Sequence, residues 1–280
     1  MSAVIGILLF FLGLAVGSFI SCLVFRVNQE NRLKGLLKGR SYCPKCKKQL
    51  FWYDNIPLIS FIFLKGRCRW CHSPIGVHYP LVELATGLAT LFVFFHLAGV
   101  EVVASPPPRW PNGLLGGVFF SLLITYALIA IFLTDLRYRT IPDQIIYPAI
   151  ALVIIFHLFH LAGVEVVASP PPRWPNGLLG GVLLSGFGAA GFFWLLVLIT
   201  RGKGMGWGDV KLAGLMGLFL GYPQIIVALY LAFLTGATAG VILILLGKKK
   251  FKSQISFGPF LVGSTFIAWF WGEKIWHLLV

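Results

Sequence analysis

Residues 201–222 read RGKGMGWGDVKLAGLMGLFLGY. The stretch starts basic and glycine-rich and turns into an apolar run at Val210, as a chain does where it leaves water and enters a hydrocarbon layer. Asp209 stands on that boundary. A carboxylate at a membrane edge is costly unless it faces water or a partner, which makes it a candidate functional group. The chain has only four Asp in 280 residues, and a second one, Asp135, closes another apolar run upstream.

Composition agrees with that reading. Hydrophobic residues make up 58% of the chain and charged residues 11%, with a mean hydropathy of +0.87. Soluble domains carry about 25% charged residues, so too few are present here to coat a soluble surface. Apolar runs long enough for membrane helices are expected at 3–25, 81–100, 114–134, 145–163, 178–200, 210–222, 225–246 and 257–279. The run at 210–222 is short, and Tyr222-Pro223-Gln224 turns it into the next. The expected fold is an all-α polytopic membrane protein of about eight transmembrane helices with a small zinc-binding segment. The first run lacks a basic start and a small-residue cleavage site, so it is read as a mature span. The expected division is a first helix at 1–25, a cysteine-bearing segment at 26–80 and a membrane domain at 81–280.

Lys and Arg orient the spans. Residues 26–80 hold 11 of them, and 135–143, 201–211 and 248–252 hold most of the rest. With eight spans these four segments share one side, which the positive-inside rule makes the cytoplasm, leaving both termini outside. A net charge of +14 so distributed reads as orientation and contact with anionic lipid rather than nucleic-acid binding. Residues 95–118 and 159–182 are the same 24-residue sequence, FHLAGVEVVASPPPRWPNGLLGGV. Their triple prolines favour extended connectors, and both copies are expected on the outer side, with Trp110 and Trp174 at the headgroup level.

Two clusters carry chemistry. Cys43-Pro44-Lys45-Cys46 and Cys68-Arg69-Trp70-Cys71 are two C-x-x-C pairs, the spacing of a closed tetrahedral Zn2+ site. A reducing cytoplasm disfavours the alternative of two disulfides. The segment is too small for a large core, so a metal staple has a physical task. Between the pairs lies an apolar insert with a turn expected at Asp54-Asn55-Ile56-Pro57. The second cluster is Asp135 with Asp209. Two close carboxylates split their protonation, so one can take a proton from water while the other hydrogen-bonds the scissile carbonyl. Gly204, Gly206 and Gly208 give backbone room for an extended peptide, and Lys211 is a candidate substrate contact beside them. Asp143 reads as an acid at a helix N-terminus. No Ser-His-Asp or H-E-x-x-H pattern competes, and the six His lack metal-like spacing.

At these residues the chain resembles the bacterial prepilin peptidases, the type IV leader peptidases of the GxGD aspartyl protease class. The resemblance runs through Gly17-Ser18-Phe19, Arg26, the C-x-x-C pairs, Asp54-Asn55-Ile56-Pro57 and Tyr79-Pro80-Leu81-Val82-Glu83. It continues through Ile141-Pro142-Asp143, Gly204 to Lys211, and Phe257-Gly258-Pro259-Phe260. It implies an inner-membrane endopeptidase that removes the basic leader of prepilins and pseudopilins after a Gly at the cytoplasmic face, with Asp135 and Asp209 as the catalytic pair. It also implies N-methylation of the new N-terminal residue from S-adenosylmethionine, with the cysteine-bearing segment tied to that activity. Two other readings fit the composition: a non-catalytic zinc-stabilised assembly factor of a pilus or secretion system, and a transporter, which the placement of the acids at one face disfavours.

Overall fold

The computed structural model describes residues 2–29, 41–104, 112–161, 178–202, 205–247 and 256–279. Among these the chain is helical, with no strand and only two isolated antiparallel bridges, Tyr42 to Gln49 and Arg67 to Pro74. The helices are α1 (Ser2–Gln29), α2 (Ile59–Phe63), α3 (His78–Ala104), α4 (Asn112–Tyr138), α5 (Asp143–Leu161), α6 (Leu184–Ile199), α7 (Trp207–Leu220), α8 (Gln224–Leu245) and α9 (Gly258–Leu279). Apart from the short α2, each coincides with one of the apolar runs. Five are long and apolar enough to cross a membrane: Val4–Val27, His78–Leu97, Gly116–Tyr138, Gly181–Ile199 and Gln224–Leu245. The proline-rich parts of the two repeat copies, with Trp110 and Trp174, lie outside the described residues, as does Gly204.

Helix ends follow local chemistry. Pro80 sits in the first turn of α3, where no intrahelical N–H is lost. Pro142 precedes α5, and its carbonyl accepts the N–H groups of Ile145 and Ile146 at 3.1 Å. Helix α7 ends at Gly221, whose φ of +69° suits glycine alone, and α8 starts three residues later.

Contacts divide the chain into two compact units, 1–130 and 131–280. In the first, α1 packs on α3 through small residues. A Cβ at Gly13 would lie 2.8 Å from the Gly87 Cα, and one at Gly17 would lie 2.8 Å from the Glu83 Cα. Such close backbone approach is how helices associate in lipid, where apolar side chains gain little by leaving the hydrocarbon. In the second, α7 is the inner element. Its Leu212, Ala213, Leu215, Met216, Gly217 and Leu220 are buried, and it packs against α5, α6, α8 and α9. A 14-residue helix is too short to cross alone, but one surrounded by protein need not meet lipid along its length.

Candidate active site and metal centre

In the second unit the end of α4 meets the start of α9, and the first turn of α7 meets the connector from α4 to α5 and the start of α5. Asp135 lies in the last turns of α4, buried at 5% exposure. The start of α9 closes over it. The Ser256 hydroxyl contacts Asp135 Oδ2 and lies 3.1 Å from the Asp135 main-chain oxygen. A Cβ at Gly258 would collide with the same carboxylate. Phe257, between them, packs its ring on Phe233 at 5.2 Å and Phe193 at 6.2 Å, which anchors the start of α9 to α6 and α8.

Asp209 lies in the first turn of α7, part-buried, ahead of the apolar run at 210–222 and outside the five crossing helices. Its Oδ2 accepts the Gly206 N–H at 3.2 Å. Burial pushes its carboxyl up to about 6. The Gly206 N–H opposes the rise, and the charge of Asp135 adds to it. The charge of Asp135 is thus the smallest of the three influences on Asp209.

The other expected site residues separate by geometry. A Cβ at Gly208 would lie 2.9 Å from the Ile141 Cβ, so Gly208 is packed against the connector between α4 and α5. Gly206 is exposed, and the nearest atom to a Cβ there is Asp209 Oδ2 at 3.7 Å. Asp143 opens α5 and pairs with Lys211, Nζ to Oδ1 at 2.5 Å, while that ammonium sits 4.8 Å from the Tyr147 ring centroid. Lys211 thus ties α7 to α5. His157, buried in α5, places Nε2 3.0 Å from the Leu218 carbonyl of α7, a packing role. Ser256 and Gly258 were missed as site residues. The signal was present in Phe257-Gly258-Pro259-Phe260, but only the fold shows what it closes over.

In the first unit the four thiols converge. Sγ atoms of Cys43, Cys46, Cys68 and Cys71 lie within 4.8 Å of one another, and none is in a disulfide. Two matching turns hold them. Cys43 N–H donates to the Lys48 carbonyl and Cys68 N–H to the Ser73 carbonyl, each at 2.9 Å. The residue after each second cysteine, Lys47 or His72, has a positive φ of 58° or 52°. A tetrahedron with metal–sulfur arms of about 2.3 Å has edges of about 3.8 Å. Cys43 and Cys71 stand 3.8 Å apart. The donor set therefore fits a metal ion. The hydroxyl and N–H of Ser73 draw the exposed Cys71 thiol down to about 6, while Cys46, despite the Lys48 N–H, is pushed up to about 11 by burial and the neighbouring thiols.

The insert between the turns is held to them. Trp52–Asn55 forms a 3-10 turn. Asp54 Oδ1 accepts Arg69 Nη2 at 2.7 Å and Nε at 3.0 Å, and Arg69 lies between the two cysteines of the second pair. Glu83, buried in α3, accepts the Leu58 N–H at 2.9 Å.

Comparison with known proteins gives the family. Residues 11–97 match the model of the bacterial peptidase A24 N-terminal domain, and residues 122–241 match that of the type IV leader peptidase family. The prepilin leader peptidase/N-methyltransferase of Aeromonas hydrophila is 35% identical over 248 residues, covering 87% of this chain and 76% of the relative. The protein of the same description from Bacillus subtilis strain 168 is 32% identical over 271 residues, covering 96% and 95%. That of Aeromonas salmonicida strain A449 is 31% identical over 295 residues, covering 97% and 93%. No solved structure matches the chain.

Proposed function

The chain belongs to the type IV leader peptidase family, and on that premise we propose that Asp135 and Asp209 are the catalytic pair of a prepilin peptidase with N-methyltransferase activity. What supports the assignment is the placement of both acids at element ends of the second unit, Asp135 buried at the end of α4 and Asp209 in the first turn of α7, its carboxyl raised to about 6 chiefly by burial and in smaller part by the charge of Asp135. The ionised member takes a proton from water, and the water oxygen adds to the scissile carbonyl carbon. The protonated member gives its proton to the carbonyl oxygen. Collapse of the tetrahedral adduct breaks the C–N bond, and the leaving amine takes up a proton from the pair.

Around this chemistry the reading is completed as follows. The eight apolar runs, the sixth of them 210–222, cross the bacterial inner membrane, with both termini outside and the acids at the cytoplasmic face. The leader of a prepilin or pseudopilin extends past Gly204, Gly206 and Gly208, because a helix would hide its carbonyls. Lys211 sets the α5–α7 wall of that path. Anionic headgroups hold the basic leader. The four cysteines hold one structural Zn2+, supported by their separations. S-adenosylmethionine supplies the methyl group to the new terminal amine. The non-catalytic assembly factor leaves the paired acids without a role.

Cleavage of a purified prepilin by the enzyme in lipid tests the pair. Asp135→Asn and Asp209→Asn should each lower turnover by several orders of magnitude, on the order of 10⁴, because half a coupled acid–base unit disables the whole. Asp143→Asn should stay within about tenfold of wild type, since it breaks only an exposed ion pair. Undiminished turnover in Asp209→Asn would reject the assignment.

A further inference from the structure

Asp135 is held in an unusual way for a carboxylate inside an apolar helix bundle. No basic side chain contacts it in the described hydrogen bonds. Its partner is a hydroxyl delivered by another helix start. Ser256 Oγ reaches both Asp135 Oδ2 and the Asp135 main-chain oxygen. One hydroxyl proton serves one acceptor at a time, and the charged oxygen is the stronger of the two. Three features bring Ser256 there. Phe257 is wedged between Phe193 and Phe233. A Cβ at Gly236 would lie 2.9 Å from the Phe257 ring, so that wedge is tight. Gly258 lacks the Cβ that would strike the carboxylate. Each fixes the start of α9 against the end of α4.

We propose that Ser256 is a positioning residue of the peptidase: its hydroxyl holds Asp135 through Oδ2, fixing the plane of the carboxylate and leaving Oδ1 as the oxygen that meets the water shared with Asp209. This rests on the assignment of Asp135 to the catalytic pair. The hydroxyl does not itself touch the peptide. It limits the rotational freedom of that carboxylate. Misplacement of a reacting group by about 1 Å costs on the order of 10²-fold in rate, so the effect of Ser256 falls on turnover rather than on binding.

The test uses the full-length enzyme in lipid, with prepilin cleavage measured for wild type, Ser256→Ala, Ser256→Thr and Asp135→Asn. Methylation of an already cleaved peptide by each variant reports folding. Ser256→Ala should lower kcat by about 10–100-fold with KM within about twofold. Ser256→Thr, which keeps the hydroxyl, should recover to within about threefold of wild type, and methylation should be unchanged throughout. A wild-type kcat in Ser256→Ala, beside an inactive Asp135→Asn, overturns this inference alone. An active Asp135→Asn overturns the catalytic assignment, and this inference with it. Loss of both activities in Ser256→Ala also overturns it, because a hydroxyl that only aims Asp135 is dispensable for folding.

Discussion

Cys43, Cys46, Cys68 and Cys71 crowd four potential negative charges within 4.8 Å, and the proposed catalytic acids Asp135 and Asp209 stand at the ends of α4 and α7. The clusters handle like-charge repulsion in opposite ways. The thiols are arranged so that a cation satisfies all four, and their turns are built from main-chain hydrogen bonds a few residues apart. Among the described residues, no ion pair is recorded at either carboxylate. Asp135 is held by a neutral hydroxyl and Asp209 by one N–H and a helix start, and burial works against the charge of Asp209. One cluster stabilises its surroundings; the other destabilises its own in exchange for reactivity.

Removing a ligand should therefore weaken the first unit most. Cys43 is buried and belongs to the closed set, so Cys43→Ser should lower zinc from roughly one per chain to a small fraction of that. Trypsin cleavage at Lys45, Lys47, Lys48, Lys65 and Arg67 should then accelerate by about tenfold or more, because the turns lose what ties them together. Methylation should fall with the metal while prepilin cleavage persists. Elemental analysis and timed proteolysis measure the first two. If zinc and proteolysis match wild type, the thiols are not a metal staple and the comparison fails on that side.

The two clusters also differed in how far the sequence disclosed them. Two C-x-x-C pairs specify a tetrahedral donor set by spacing alone, and the fold needed only to bring 43–46 and 68–71 together. Each of the eight apolar runs likewise coincides with a helix, five of them long and apolar enough to cross a membrane. The acids were visible as rare carboxylates at run edges, but what surrounds each depends on how the ends of α4, α7 and α9 pack, which no periodicity encodes. For that reason Ser256 could not be read, and Lys211 was read as a substrate contact while its Asp143 and Tyr147 partners were hidden. Gly206 and Gly208 looked alike in G-x-G-D, yet one is open and the other packed.

The opposite sign should be found at Asp209. Its carboxyl titrates at about 6 in the fold against 3.8 in the unfolded chain. The folded state thus binds the proton more tightly, and the associated stability is present below about pH 4 and lost as pH rises through about 6. At pH 7.5 the wild type carries the whole cost of a part-buried charge, at most about 2–3 kcal/mol. Asp209→Asn removes that cost. The variant should be catalytically dead and yet melt a few degrees higher than wild type at pH 7.5, with the gap closing near pH 4. Thermal unfolding in one detergent across that range measures it. An Asn variant that melts lower than wild type at pH 7.5 would mean that Asp209 stabilises its helix more than its burial costs, and the contrast with the thiols would disappear.

The smallest effects should separate the glycines beside the acids. Gly208→Ala puts a methyl 2.9 Å from the Ile141 Cβ, closer than packed atoms tolerate, and a β-carbon cannot swing away as the tip of a flexible side chain can. The connector from α4 to α5 or the first turn of α7 must shift, at a cost of about 1–3 kcal/mol. Asp209, one residue on, shifts with it, so kcat should fall by about 10–100-fold. Gly206→Ala meets nothing nearer than 3.7 Å, and its φ of −85° is open to any residue. Its N–H still reaches Asp209 Oδ2, so kcat should remain within about twofold of wild type. If an extended leader passes along this exposed glycine, the added methyl narrows its path and KM should rise by a few fold. Steady-state cleavage of the two variants with one prepilin reads both numbers. A kcat loss in Gly206→Ala equal to that in Gly208→Ala would show that backbone freedom at 206, rather than close packing at 208, governs the site.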